Sequence, residues 1–334
     1  MLTLEELKTF IDEDAASTKK RFAREGERYY DGDHDIKGYR LFYYNTDGDL
    51  VEDKTRSNLK IPHPFFKELV DQGTQYILSS GEPFVLSDDP DLQKELDDRF
   101  NYNDDFIAEL TELITDTQNR GFAYMYALKG ADDRLKFIRA DSIGVIEVEG
   151  RFADDQKDHV IYWYIDRVDK EGHRIKKIQD WDDQQTYYYE QNEDGEIMVD
   201  TSQQINPRPH ILYQEEGDDR TFYDGLGFIP FFRLDNNKKQ FSNLKPIKPL
   251  IDDYDLMASS LSNNLQDFDH PIYVVKGFQG HNLDELQQNL KTKKIVGVSP
   301  DGGIETFTVD VPVEGRRAKL ELDEKNIYRF GMGL

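Results

Sequence analysis

Acidic side chains at close spacing are the residues of this chain best suited to chemistry, and divalent-cation binding is what they would do. DGDHD at Asp31–Asp35 and NTDGD at Asn45–Asp49 both open like a calcium loop. Such a loop closes on a bidentate glutamate at its twelfth position, which here is Phe42 in one and Arg56 in the other. Asp252, Asp253 and Asp255 resemble a nuclease ligand set, yet their offsets along a helix turn them to different sides, so they do not converge on one ion. A solvated or intersubunit polar face is the role expected of them. The seven histidines, among them His63, His159, His173, His210, His270 and His281, form no H-E-x-x-H or H-x3-H grouping. No G-x-S-x-G elbow and no G-x-x-x-x-G-K-[ST] phosphate loop occurs, and Gly225 with Gly227 in DGLGF reads as a turn. No catalytic, cofactor-binding or metal-binding residue is therefore assigned. Lys291, Lys293 and Lys294 form a dense positive patch late in the chain, at the end of a short predicted helix. They either complement that helix C-terminus or contact DNA phosphate or an acidic partner.

The element with most to position is the stretch Asn243–His270. Beyond Pro249 it has no helix breaker, and Leu250, Tyr254, Met257, Leu261, Leu265 and Phe268 alternate at three- and four-residue spacing. That spacing predicts a helical rod roughly 28 Å long with one narrow apolar seam, either an ordinary amphipathic helix on a domain surface or one suited to lateral packing against other rods. Asp252, Asp253, Asp255, Ser259, Asn263 and Asp267 fall largely outside the seam. Upstream, one helix is expected over Leu2–Tyr30, a hairpin over Tyr39–Asp53, and a helix over Ile61–Ser80 leading to a strand at Phe84–Leu86. Asp91–Phe100 and Asn103–Arg120 follow as helices, the second stopped by Gly121. Segments 122–128, 135–140, 143–150, 159–168, 173–181 and 185–191 then alternate like strands, and their links are too short for crossover helices, so a mostly antiparallel sheet is predicted. After the rod come a strand at PIYVVKG, a short helix from Asn282 with a capping box, and a hairpin in which PDGG turns IVGVS into IETFTVDV. Val313–Leu334 restarts a helical pattern. The whole reads as α+β.

Composition narrows the class. Of 334 residues only 37% are hydrophobic, with a mean hydropathy of −0.77, which favours an elongated or oligomeric shape over a thick core. Aromatic content of 12% argues against disorder. No cysteine is present, which removes disulfides, thiolate nucleophiles and cysteine zinc sites and suits a reducing cytoplasm. Neither a secretion signal nor a membrane-length apolar run is evident. Net charge is −25, but residues 243–334 carry 14 acidic against 11 basic side chains, so nearly all the excess lies before them. A protein that grips DNA should be basic, whereas a surface whose acidic charge serves solubility, or a conduit through which DNA slides, can look like this.

Two stretches carry a family resemblance. IPFFRLDNNKKQFSNLKPIKPLIDDYDLMASSLSNNLQDFDHPIYVVKG, Ile229–Gly277, resembles the core signature of portal proteins of long-tailed bacteriophages, the head-to-tail connectors: an I-P-F strand, an Asn-containing loop, then a helix bearing I-D-x-Y-D and S-x-L-S-N. NLKIPHPFFKELVDQGTQYILSSGEPFVL, Asn58–Leu86, resembles the family's early helix and G-x-P strand. The resemblance implies an α+β elongated portal-type subunit: an α/β wing at 1–242, a first stem helix at 243–270, a small αβ clip at 271–312 and a second stem helix at 313–334. It further implies a homo-oligomeric ring of about a dozen copies closed by heterologous contacts at one capsid vertex. DNA would pass non-specifically through its channel during packaging and ejection. The implied partners are the terminase large subunit, a head-completion or neck adaptor, scaffold and major capsid protein, with no cofactor and no membrane. The implied location is the virion, after assembly in the bacterial cytoplasm from a phage or prophage gene. The seam residues Leu250, Tyr254, Met257, Leu261, Leu265 and Phe268 would line the channel or meet a neighbouring stem. In the family the chain continues into a long helix, a tunnel loop and a crown, so this one reads as shortened at its C-terminus. The alternative kept beside this is an acidic metal-dependent hydrolase acting on nucleic acid.

Overall fold

A capping box opens the first helix: Thr3 Oγ1 accepts from the Glu6 N–H while the Glu6 carboxylate accepts from the Thr3 N–H, starting α1 (Leu4–Ala15). The single helix expected over Leu2–Tyr30 is two, because Ser17 turns extended and caps the Lys20 N–H, restarting the chain as α2 (Thr18–Tyr30). This computed structural model describes residues 1–79, 81–130, 135–150, 157–168, 170, 172–214, 220–268, 272–278, 298–307 and 311–333. β1 (Phe42–Tyr44) and β2 (Leu50–Glu52) make the expected hairpin, its turn held by Asn45 Oδ1, which accepts from the Asp47 and Asp49 N–H groups. Helix α3 (Phe65–Leu78) begins later than predicted, since Ile61 and His63 each precede a proline and are confined to extended backbone. The strand expected at Phe84–Leu86 is absent, and the Phe84 and Val85 N–H groups donate to Asn101 Oδ1 instead. α4 (Pro90–Leu96) runs into a π turn at Asp97–Asn101, and together they make the helix expected over Asp91–Phe100. α5 (Asp104–Arg120) is capped by Asn103 and stopped by Gly121, as its sequence predicts.

The strands follow as β3 (Phe122–Lys129), β4 (Leu135–Ala140), β5 (Val145–Glu149), β6 (Lys157–Val168), β7 (Arg174–Trp181), β8 (Gln185–Gln191), β9 (Ile197–Val199), β10 (Arg208–Pro209), β11 (Ile211–Gln214), β12 (Thr221–Asp224) and β13 (Phe231–Asp235). Then come α6 (Lys248–Phe268), β14 (Ile272–Phe278), β15 (Val298–Phe307) and α7 (Val313–Phe330). Every described strand pair is antiparallel, in keeping with the short links. The chain is α+β and divides into two units.

The first unit comprises residues 1–33, 64–248 and 328–334. Its larger sheet has the order β10-β8-β7-β6-β5 with β9 beside β8, and its smaller sheet the order β13-β3-β4. Phe122, Tyr124, Val160, Trp181 and Phe231 form the main core, with Tyr126 stacked on Phe231 at 5.1 Å. Leu7 and Ile11 of α1 pack with Ile146, Ile161, Ile178 and Tyr189 of the larger sheet. From Leu113 to Arg120 every residue of α5 is buried. Gly26 of α2 permits this, because a Cβ there would collide with the Asn119 carbonyl. Gly121 is constrained twice over: its φ is +91°, and a Cβ would strike the Gln240 carbonyl. Charges taken into this unit are paired. Arg120 reaches Glu27 at 2.5 Å and Asp141 at 3.2 Å, and Arg139 reaches Asp116 at 2.5 Å. Lys20 donates to the carbonyls of Ser142, Ile143 and Val145 at 2.7–3.0 Å, and burial lowers its pKa to about 8.

The second unit comprises residues 34–63 and 249–327. It contains the β1–β2 hairpin, most of α6, the β14–β15 pair and most of α7. The PDGG segment, expected to turn a hairpin, lies instead inside β15: Gly303 pairs with Lys276 of β14, and the rest falls in the register shift before Val298 pairs with Phe278. The helix expected from Asn282 lies outside the described residues.

Candidate functional site

The arrangement that organises the second unit is a polar clasp along α6. Asp255, Ser259, Asn263 and Asp267 recur every four residues and share one helix face. Each accepts a backbone N–H from the segment that follows the hairpin. Asp255 Oδ1 takes His63 at 2.9 Å, Ser259 Oγ takes Ile61 at 3.0 Å, Asn263 Oδ1 takes Leu59 at 2.7 Å and Asp267 Oδ1 takes Ser57 at 3.0 Å. Asn263 Nδ2 also donates to the Leu59 carbonyl at 3.2 Å. The match is one of periods: four helical residues rise about 6.0 Å and two extended residues about 6.6 Å. In Ile61-Pro62-His63-Pro64 the prolines fall at the alternate positions, where no donor is required. The segment thus satisfies its donors as a strand edge would, using side chains in place of a neighbouring strand.

At one end of the clasp Asp255 holds two imidazoles. Its Oδ2 meets His34 Nδ1 at 2.6 Å and its Oδ1 meets His63 Nδ1 at 2.9 Å, and the side chains of Asp255 and His34 are both fully buried. Burial pushes the Asp255 carboxyl up, but the hydrogen bonds from His34 and His63 outweigh it and hold the pKa below the ordinary carboxylate value. The His63 ring stands edge-on to Tyr254 at 4.7 Å. On another side of α6, Asp253 pairs with Lys319 of α7 at 2.5 Å, and Lys319 also pairs with Asp323. The two helices are therefore tied by charge as well as by chain connection.

One expectation changes here. Asp255 is not part of a solvated or intersubunit face; it is the buried anchor of the clasp, because its partners approach from residues 34 and 63. The buried residues of α6 are Ile251, Asp255 and Ser259. Among the seam residues Leu250, Tyr254, Met257 and Leu261 are half-buried, while Leu265 and Phe268 are exposed. Lys291, Lys293 and Lys294 lie outside the described residues. The seam reading of α6 missed His34, His63, Ser259, Asn263 and Asp267 as structural partners. Their mark in the sequence is short side chains bearing acceptor oxygens at strict four-residue spacing, which names a helix face but not what lies on it.

Among the described residues no group of three His, Asp or Glu side chains is placed to hold a metal ion. No described helix is long and apolar enough to cross a membrane. The chain is a member of the phage portal protein family, SPP1 Gp6-like, whose model matches residues 10–334. It is 30% identical to the portal protein of Bacillus phage SPP1 over 307 residues, covering 91% of this chain and 58% of that relative's length. It is 23% identical to the portal protein of Clostridium phage phiCD119 over 350 residues, covering all of this chain and 72% of that relative. Among solved structures it is similar to a chain of the neck of a native GTA particle computed with C12 symmetry, at 13% identity and TM-score 0.40, covering 80% of this chain and 64% of that one. A chain of the neck of the empty particle, computed with C6 symmetry, gives 15% and 0.42 with 80% and 65% coverage. These relationships do not support the hydrolase alternative.

Proposed function

We propose that this chain is the ring-building body of a phage portal, the channel for DNA packaging and ejection at one capsid vertex. The observation that carries the reading is family membership over residues 10–334, with α6 inside that span clasped on its polar face and leaving an apolar seam incompletely covered. Residues 1–242 act as the wing, 243–270 and 313–334 as stem helices and 271–312 as the clip. Leu250, Tyr254, Met257, Leu261, Leu265 and Phe268 meet the stem of a neighbouring copy or face the channel. Lys291, Lys293 and Lys294 contact DNA phosphate or an acidic partner such as the terminase large subunit or a neck adaptor. Scaffold and major capsid protein meet the wing. The chain works in the virion after assembly in the host cytoplasm, without catalysis of its own. Electron microscopy of the purified protein tests this, the expected result being rings with a central hole. Compact monomers with chelator-sensitive hydrolysis of nucleic acid would replace the portal reading with the hydrolase one. Replacing the three lysines with alanine is expected to weaken motor or adaptor binding, and unchanged binding and packaging would remove their role.

A further inference from the structure

The first unit contains a cavity of about 390 Å3, at the small end of the range of ligand sites. Tyr126, Trp181 and His210 line it, with Trp181 and His210 rings 5.4 Å apart. Its sixteen lining residues include Arg99, Lys129 and Arg208 and not one carboxylate, in a chain with 67 acidic residues among 334. Arg99 pairs with Glu95 and Lys129 donates to the Leu212 carbonyl, whereas Arg208 is exposed. Among the described residues neither His210 ring nitrogen makes a hydrogen bond of good geometry although both atoms are buried, and the Gln185 carbonyl lies near the ring. The cavity therefore suits an aromatic side chain stacked against the Trp181 and His210 rings, with negative charge at the rim.

The chain itself presents such a group. The β1–β2 hairpin stands as an isolated two-stranded sheet, and Phe42, Tyr43, Tyr44, Leu50 and Val51 are all exposed, Tyr44 most of all at 74%. A hairpin of this size is marginal in water unless something covers it. Tyr44 is the last strand residue before the turn, and the turn carries exposed Asp47 and Asp49. We propose that the hairpin of one copy inserts Tyr44 into the Trp181–His210 cavity of a second copy, with Asp47 and Asp49 against Arg208. Donor and acceptor are different surfaces of the same chain, so the contact is heterologous and leaves a free hairpin and a free cavity at the ends of every open chain of copies. Nucleic acid is the poorer occupant, because a polyphosphate entering the cavity would cross the acidic surface of a chain of net charge −25.

The proposal rests on the portal reading only in requiring self-association. The test uses Tyr44→Ala, which removes the anchor, and Arg208→Glu, which reverses the rim, each checked by circular dichroism for an unchanged fold. In sedimentation equilibrium each variant alone is expected to self-associate at least about tenfold more weakly than wild type. An equimolar mixture should recover heterodimers, since the Arg208→Glu copy still offers a hairpin and the Tyr44→Ala copy still offers a cavity. A cyclised peptide of residues 39–53 should shift tryptophan fluorescence of wild type and not of Arg208→Glu. Folded variants that associate like wild type, a mixture that recovers nothing, or peptide binding indifferent to Arg208→Glu each overturn it. So does occupation of the cavity by a nucleotide or an unrelated acidic peptide while the hairpin variants associate normally, and so does a wild-type protein that stays monomeric and binds no peptide. Rings that persist in both variants would end this contact and leave the portal reading standing.

Discussion

Removing the Asp255 carboxylate is the perturbation that most directly tests the clasp. In Asp255→Ala three donors lose their acceptor together: His34 Nδ1 at 2.6 Å, His63 Nδ1 at 2.9 Å and the His63 N–H at 2.9 Å. Each buried donor left unpaired costs about 1–3 kcal/mol. The losses overlap, so about 3–5 kcal/mol is expected in total. Asp255→Asn keeps one acceptor oxygen and can satisfy His63 or His34 but not both, so roughly half of that is expected. The assay has to watch the second unit. Both tryptophans, Trp163 and Trp181, belong to the first, so their fluorescence would report the wrong region. Hydrogen exchange at the Ser57, Leu59, Ile61 and His63 amides reads the clasp itself. A loss of about 3 kcal/mol in Asp255→Ala would speed exchange at His63 and Ile61 by roughly two orders of magnitude. The same amides should lose protection in wild type as pH falls through the depressed Asp255 pKa, because the carboxylate contributes stability above its unfolded value near about 3.9 and forfeits it on protonation. Unchanged exchange at all four amides in Asp255→Ala would refute the reasoning.

Three further outcomes follow from the same geometry. Lys319→Ala removes the tie from α7 to Asp253, and because the pair is partly exposed the expected cost is only about 0.5–1 kcal/mol, read as faster exchange in α7 and diminished by salt. Asp200 is held at a pKa of about 2: burial raises it, and hydrogen bonds from Lys177, Ser202 and Gln203 outweigh that. Its stabilisation is present above about pH 4 and lost toward about pH 2, so Asp200→Asn should cost about 1–2 kcal/mol at neutral pH and flatten the acid limb of the unfolding curve. Gly121→Ala should destabilise the first unit by about 1–3 kcal/mol for the backbone conformation alone, with more from the collision at Gln240, measured by urea unfolding with tryptophan fluorescence.

What could be read in advance was whatever is decided within a few residues. Asn103 and Gly121 bracket α5 because caps are local chemistry, and β3 through β8 lie where alternation placed strands because one face of each meets a core. Ser17 was an equally local signal that the single-helix expectation over Leu2–Tyr30 passed over. Phe84–Leu86 was misread because its donors go to Asn101, sixteen to seventeen residues away and on no strand. The clasp was out of reach of periodicity for a stronger reason. Its partners are separated by about two hundred residues of sequence, and helix periodicity ranks residues by apolarity, which sets Asp255, Ser259, Asn263 and Asp267 aside as solvent-facing. Their common spacing names the helix face, and only the fold says what lies on it.

Pro62 and Pro64 give that pairing a grammar of odd and even. Were the segment to slide by a single residue along α6, imino positions would arrive where oxygens wait for a hydrogen, and one or two of the four rungs, according to direction, would have nothing to offer. Slippage is thereby restricted to double steps, each of which forfeits a terminal rung and carries the buried Asp255 away from His63. A pull on the hairpin is consequently borne as a load shared among all four acceptors until the whole seating fails at once.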